Sequence, residues 1–209
     1  MIGLRHRLIA HLLFQEQPII VVRHSLTGEE GYQLYLEISQ VTALIDPLQD
    51  IQPTLSPPCA PATHRLLRLE ACSFDETAFF LHPENPLSAG LHWMIDFKKT
   101  EFIGKEVLIK KHQEGIAMAL IPFKALDASI QLFENTPIYL NHQEVGYVCA
   151  AEFSYLLNRY IGYAYVHVDH AWPGVQVTLS PEASVLGFIS APFILPSHTS
   201  SRFNRLTPQ

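Results

Sequence analysis

"EVGYVCAAEFSYLLNRYIGYAYV", residues 144–166, decides how the second half of this 209-residue chain folds. It holds two β-type runs, 144–153 and 161–168, rich in Val, Tyr and Ile, with a short connecting stretch between them. Similar short runs lie on either side: "IAMALIPF" (116–123), "TPIYLN" (136–141), "VQVTLS" (175–180) and "VLGFISAPF" (185–193). Short strands recurring about every 8–12 residues are the signature of a small antiparallel barrel or sandwich.

Upstream of Gly115 the texture is mixed. "QPIIVVRH" (17–24) is β-branched and reads as a strand, "SLTGEEGY" (25–32) as a turn, and "YQLYLEIS" (32–39) as a second strand. Two strands about a glycine-bearing turn make a hairpin. Period-2 alternation puts Tyr32, Leu34, Leu36 and Ile38 on one face, and Gln33, Tyr35 and Glu37 on the other, away from the core. Leu4, Leu8, Ile9, Leu12 and Leu13 fall at helical spacing and predict a short amphipathic helix over 4–14. "SQVTALIDPL" (39–48) predicts one or two helical turns ending at proline, and "QPTLSPPCAP" (52–61) an irregular connector. "ATHRLLRLEACSF" (62–74) predicts a helix capped by Thr63, "HWMIDF" (92–97) a strand, and Gly104–His112 a helix.

The fold class expected is therefore α+β: a hairpin-and-helix part over 1–112, then a small antiparallel β-barrel over 113–195 and a polar tail over 196–209. Net charge is −6 with no run of five or six like charges, which argues against nucleic acid and anionic membranes. Hydrophobic residues make up 48% and charged ones only 16%, so part of the surface is suited to burial against another chain. No apolar run reaches the ~20 residues of a membrane helix. The N-terminal stretch lacks a signal-peptide cleavage site. Cys59, Cys72 and Cys149 are scattered, as expected of reduced cytoplasmic thiols.

Familiar catalytic signatures are absent: there is no GxSxG, HExxH, GxGxxG or P-loop. His167 and His170 are read as surface residues at a barrel corner rather than metal ligands. Glu29–Glu30 is read as a solvated turn pair. Trp93 is expected in the core, and Arg68 and Glu70 on an exposed helix face.

Taken in order, the motifs resemble the aminomethyltransferase family, the T-protein of the glycine cleavage system. "SLTGEEGYQLYL" is similar to that family's Tyr-Thr-Gly-Glu-Asp-Gly-Tyr-Glu turn, and "HRLLRLEAC" to its "RDxLRLEAG" helix. "NPLSAGLHWMIDFKKTEFIGKEVL" is similar to "tPxEAGLgWxvxxxKxdFIGkexL", and residues 144–166 to "xVGxVTSGxxSPxLxxxIGxAYV". The resemblance implies a T-protein-like, partly ferredoxin-like hairpin-and-helix part followed by a C-terminal barrel. It implies tetrahydrofolate as cofactor, and an aminomethyl group delivered on the lipoyl arm of H-protein to give 5,10-methylenetetrahydrofolate.

Three positions that bind ligand in the family are altered. The turn's final glutamate, which accepts from the pterin ring N–H and exocyclic amine, is Gln33, whose amide offers one acceptor and one donor. The motif tyrosine is Leu26. The arginine opening "RDxLRLEAG" is His64, and neutral imidazole cannot copy a bidentate guanidinium contact. The family's catalytic aspartate lies further upstream of the turn than the residues present here, so no catalytic residue is assigned. Two readings follow: an aminomethyltransferase completed by a separate N-terminal half, or an inactive paralogue that binds a folate-like ligand or a protein. Membership of the folate-binding iron–sulfur assembly relatives is disfavoured, because Glu101 stands where their "KGCYxGQE" motif has cysteine.

Overall fold

A computed structural model describes residues 8–29, 31–51, 59–73, 85–179, 185–188 and 193. Two compact units divide after Arg68, the second running from Leu69 to Ile194. That seam precedes the change of texture at 112–116, because residues upstream of it are tied to the second unit. Leu120 N–H donates to Ser88 C=O at 2.8 Å, and Ser154 Oγ donates to Glu70 Oε1 at 2.7 Å.

The first unit contains a three-stranded antiparallel sheet, β1 (Ile9–Phe14), β2 (Gln17–Arg23) and β3 (Tyr32–Tyr35), in that order. Residues 9–14 are thus a strand and not part of a helix. Every residue from Ile9 to Phe14 except His11 is apolar, so the same letters satisfy period 3.6 and period 2. The turn decides between them. Gln15 and Glu16 both take positive φ, 49° and 64°, as a two-residue hairpin requires, and β1 then pairs with β2 from Ile9↔Val22 to Phe14↔Gln17.

The β2–β3 hairpin forms as its sequence predicts, with Gly28 at φ 80° in the connecting turn. Gly31 is required there by contact, since a Cβ would stand 2.9 Å from the His24 carbonyl oxygen. β3 ends at Tyr35, earlier than the alternation predicts. Gln40 Oε1 accepts from Glu37 N–H at 2.9 Å, and this capping box opens a 3₁₀ turn (Ile38–Gln40) leading into α1 (Val41–Ile51). α1 continues through Pro47, past the predicted stop, at the loss of one main-chain bond. The connector's residues 52–58 lie outside the described residues.

α2 (Pro61–Glu70) starts at a proline, whose fixed φ and missing N–H suit the first helical position, so Thr63 lies inside the helix and is not its cap. α2 is followed by Cys72 in the left-handed region at φ 48°, a conformation that favours glycine after a helix. Burial pushes the Cys72 thiol pKa up, offset in part by a hydrogen bond from the Tyr163 side chain and another from the Phe193 backbone. Two variants isolate the backbone strain, because both remove the thiol and only one keeps a Cβ. Cys72→Gly is expected to be more stable than Cys72→Ala by about 1 kcal/mol in urea melts. Equal midpoints would show that the left-handed site is unstrained.

In the second unit, Asn85 Oδ1 accepts from Leu87 and Ser88 N–H and shapes the turn at 86–90. The predicted strand at 92–97 is instead a 3₁₀ turn, His92–Met94, closed by Met94 N–H to Leu91 C=O. Trp93 is 69% exposed on it, so it is not a core residue. α3 (Lys105–Glu114) follows, with Gly104 at its N-cap.

The barrel is closed and antiparallel. Its strands are β4 (Met118–Ala125), β5 (Pro137–Leu140), β6 (Gln143–Ser154), β7 (Arg159–His167), β8 (Gln176–Thr178) and β9 (Val185–Phe188). Their order is β4-β7-β6-β5-β8-β9, with β9 returning to β4. All six strands fall within the six runs predicted, give or take two residues at their ends. A register shift between Val148 and Ala150 bulges β6, the kind of kink that lets a small sheet curl on itself. Phe123, Ile138, Val148, Ala164, Val166 and Leu186 fill the interior, all fully buried. No helix among the described residues is long and apolar enough to cross a membrane.

Candidate functional site

The residues that the turn motif singles out lie on the three-stranded sheet and its β2–β3 turn. The register couples Val22 to Gln33 and Ile20 to Tyr35, and on the other side Val22 to Ile9 and Ile20 to His11. Cross-strand partners share a face, so Ile9, His11, Leu13, Pro18, Ile20, Val22, Gln33 and Tyr35 form one surface. The opposite face carries Ile19 and Val21, which are 8% and 9% exposed. The register puts Gln33 and Tyr35 on the face opposite Ile19 and Val21, as the alternation predicts, but Tyr32, Leu34 and Ile38 are not core residues, being 51%, 39% and 89% exposed. The surface of Gln33 and Tyr35 is open: Ile9 is 61%, Leu13 74% and Tyr35 56% exposed. It contains no aspartate, glutamate, lysine or arginine.

Gln33 is half-buried, and Tyr35 Oη donates to its Oε1 at 3.3 Å. That bond takes one of the amide oxygen's two lone pairs, so Gln33 offers a ligand one remaining acceptor site and its NH₂ donor. A carboxylate at the same place would keep the Tyr35 bond and still have lone pairs to offer. Leu26 is half-buried in the turn that precedes β3. His64 is exposed on the first turn of α2, a different element from the one that holds Gln33 and Leu26.

Glu70 is not on an exposed face. It is 5% exposed, and Ser154 Oγ, at the end of β6, donates to its Oε1 while accepting from Leu157 N–H at 3.2 Å. No local pattern signals a pair separated by 84 residues. Ser154→Ala removes the donor and leaves a buried carboxyl group one bond short. The expected loss is about 1–3 kcal/mol in denaturant melts. A double-mutant cycle with Glu70→Gln that shows no coupling would refute this pairing.

At one end of the barrel, His167, Asp169, His170, Glu144 and Tyr147 border a shallow concavity. His167 Nδ1 lies 3.4 Å from Asp169 Oδ2, and the two imidazoles are 6.1 Å apart, centroid to centroid. Among the described residues no group of three His, Cys, Asp or Glu side chains is placed to hold a metal ion.

Residues 119–185 match the family model of the glycine cleavage T-protein C-terminal barrel domain. The chain is 33% identical over 168 residues to the aminomethyltransferase of Halothermothrix orenii, covering 77% of this chain and 45% of that one. It is 37% identical over 94 residues to a probable aminomethyltransferase of Pyrococcus furiosus, covering 45% of this chain and 23% of that one. By fold it is similar to glycine cleavage system aminomethyltransferase T from Bartonella henselae, with a TM-score of 0.74 at 23% identity, covering 88% of this chain and 53% of that one. The chain thus spans about half the length of the relatives it matches. Its barrel thus matches the T-protein C-terminal barrel domain, its sequence is similar to part of the aminomethyltransferases, and its fold is that of the corresponding half of the solved structure.

Proposed function

We propose that this chain is the C-terminal part of a T-protein-like aminomethyltransferase, working in tetrahydrofolate-dependent one-carbon transfer of the glycine cleavage type. The N-terminal portion of that fold, on the same polypeptide or a separate one, completes the site, and a lipoyl-carrying H-protein delivers the aminomethyl group. The observation that carries the reading is the turn-and-strand unit from Leu26 to Gln33. It sits in a hairpin that directs Gln33 onto an open face, in a chain whose similarity to aminomethyltransferases covers 77% of its length. In this reading Leu26, Gln33 and His64 contribute to folate binding and the proton-transfer residue lies on the N-terminal portion. Three cysteines without a disulfide among them suit a cytoplasmic setting.

A second reading is favoured by the same three residues. Gln33 presents one acceptor and one donor where the family has two acceptors, Leu26 has no hydroxyl, and His64 is exposed with no guanidinium to offer. A paralogue that binds a folate-like ligand or a protein without catalysis fits those changes. Calorimetric titration with tetrahydrofolate, with and without the N-terminal portion of a relative, separates the two. Binding that appears only with the added portion supports the transferase part. No binding in either arm supports the inactive paralogue.

A further inference from the structure

We infer that Gln33 makes this a site for a cyclic imide. The ring edge it selects sets a carbonyl directly beside an N–H, where a pterin presents two N–H donors side by side. This assignment rests on the proposed function for the place of the site, the turn-and-strand unit from Leu26 to Gln33, and departs from it on the ligand.

Two-point recognition of a planar ring depends on the order of donors and acceptors along its edge. A pterin's edge runs donor, donor, acceptor: the exocyclic amine, the ring N–H and the carbonyl. A carboxylate, an acceptor at both oxygens, matches the first two. An amide is an acceptor at one atom and a donor at the other, so one of those two hydrogens faces its NH₂. The pterin's own mixed pair, the ring N–H and the carbonyl, meets the amide only if the ring moves over by one position and carries the rest of the folate with it. A carbonyl in place of the exocyclic amine changes the order to acceptor, donor, acceptor. An amide matches either adjacent pair of that edge. A carboxylate matches neither, because a carbonyl oxygen then faces a carboxylate oxygen. Asn and Gln read adenine by the same rule, pairing their mixed amide with its mixed edge.

The hairpin sets the amide beside a surface that suits a neutral ring. Gln33 stands opposite Val22 and Tyr35 opposite Ile20, so half-buried aliphatic side chains border the amide on the neighbouring strand. Tyr35 Oη donates to Gln33 Oε1 at 3.3 Å, which restrains the side chain and leaves one lone pair and the NH₂ for a ligand. Exchanging the two ends of the amide would keep its mixed sign, so the selection does not hang on that bond. Leu26, half-buried in the preceding turn, brings no polar group of its own. Three ring systems share the imide edge and differ in size: a dioxopteridine, the isoalloxazine of a flavin, and uracil.

The test is an NMR titration of the full chain, isotopically labelled, with lumazine (2,4-dioxopteridine) and with pterin, its 2-amino-4-oxo counterpart. The side-chain NH₂ resonance of Gln33, identified by its loss in Gln33→Glu, reports the contact itself. Lumazine is expected to shift that resonance saturably and to bind at least about threefold more tightly than pterin. Gln33→Glu is expected to reverse the order, with pterin preferred at least about tenfold, since one contact becomes acceptor against acceptor for lumazine and is restored for pterin. Gln33→Met, of similar size and without hydrogen bonds, is expected to bind both rings alike within about twofold. Backbone amide spectra show that each variant is folded before affinities are compared. Riboflavin and uridine, titrated in the same way, show which of the three rings carries the edge that fits best. Failure of all three imides to move the Gln33 resonance at millimolar concentration overturns the inference. So does pterin bound as tightly as the best of them, or an order of preference that Gln33→Glu leaves unchanged. The tetrahydrofolate titration is read separately. An imide preference without tetrahydrofolate binding keeps this ligand class and removes the transferase reading, and tetrahydrofolate binding with pterin preferred over lumazine does the reverse.

Discussion

Titrated with tetrahydrofolate alone, this chain is expected to give no saturable heat at micromolar concentration, and Gln33→Glu with His64→Arg is expected to tighten binding by about two to four powers of ten. The first contribution is at Gln33. Tyr35 Oη donates to Gln33 Oε1, whose second lone pair is left for one pterin hydrogen, while the other hydrogen meets the amide's own NH₂. That donor-against-donor contact leaves one pterin hydrogen unsatisfied, and a carboxylate puts an acceptor there without breaking the Tyr35 bond. The second is at His64, where a planar guanidinium can grip a ligand carboxylate through two parallel bonds and neutral imidazole cannot. Each restored contact is worth about 1–3 kcal/mol, and the two together give the range stated. The gain is expected to be larger with the N-terminal portion present, since a water-excluded site strengthens both contacts. Sub-micromolar affinity of the unaltered chain by itself would overturn the reading that its half of the site is incomplete. A double variant no tighter than the parent, with the N-terminal portion bound, would show that these positions do not face the ligand.

The parts of the fold legible in the sequence are those where one period had no competitor. β6 and β7 are rich in aromatic and β-branched residues and are parted by a turn over 155–158, so no helical reading fits them. β1 failed that condition. An almost wholly apolar six-residue run carries no phase, and what makes it a strand is the Gln15–Glu16 turn, two polar residues with no glycine to announce positive φ. At residues 92–97 the letters suit a strand, yet Leu91 C=O and His92 C=O accept from Met94 and Ile95 and draw the segment into a tight turn. The candidate site divides in the same way. The direction of Gln33 followed from alternation, because β3 is a neighbour of a strand with one buried face. The burial of Glu70 did not, because its partner Ser154 is brought to it only by barrel closure. The charge-free face on the sheet was visible as low overall charge but not as a place, since three strands had to be registered before its members adjoined.

The largest stability effect expected in the chain is at two glycines of the barrel's longest strand pair, and its cause is space rather than φ. A Cβ on Gly146 would lie inside van der Waals contact of the Tyr165 carbonyl oxygen and 2.8 Å from Val166 Cα. One on Gly162 would meet the Ala150 carbonyl oxygen and stand 2.7 Å from Phe123 Cζ. The obstructing oxygens belong to the main chain of the facing strand, so they cannot yield without breaking the β6–β7 ladder. Phe123 is fully buried, so its ring has no free volume to enter. Overpacking that a flexible side chain can absorb costs about 1–3 kcal/mol, and a clash with a paired main chain exceeds that range. Against a total stability of about 5–15 kcal/mol, Gly146→Ala or Gly162→Ala is expected to remove most of the barrel's margin, read as loss of folded protein or a collapse of the urea midpoint. Two other glycines calibrate the result. Gly174 has nothing within 4 Å of a new Cβ but sits at φ +92°, so Gly174→Ala is expected to cost about 1 kcal/mol through backbone strain alone. Gly187 would meet only the Leu126 side chain, at 3.2 Å, which can rotate away, so Gly187→Ala is expected to cost less than Gly146→Ala. If the urea midpoint of Gly146→Ala or Gly162→Ala falls no further than that of Gly174→Ala, the two strands do not approach as closely as this barrel requires. The bulge between Val148 and Ala150 then could not bring β6 against β7 on both of its sides.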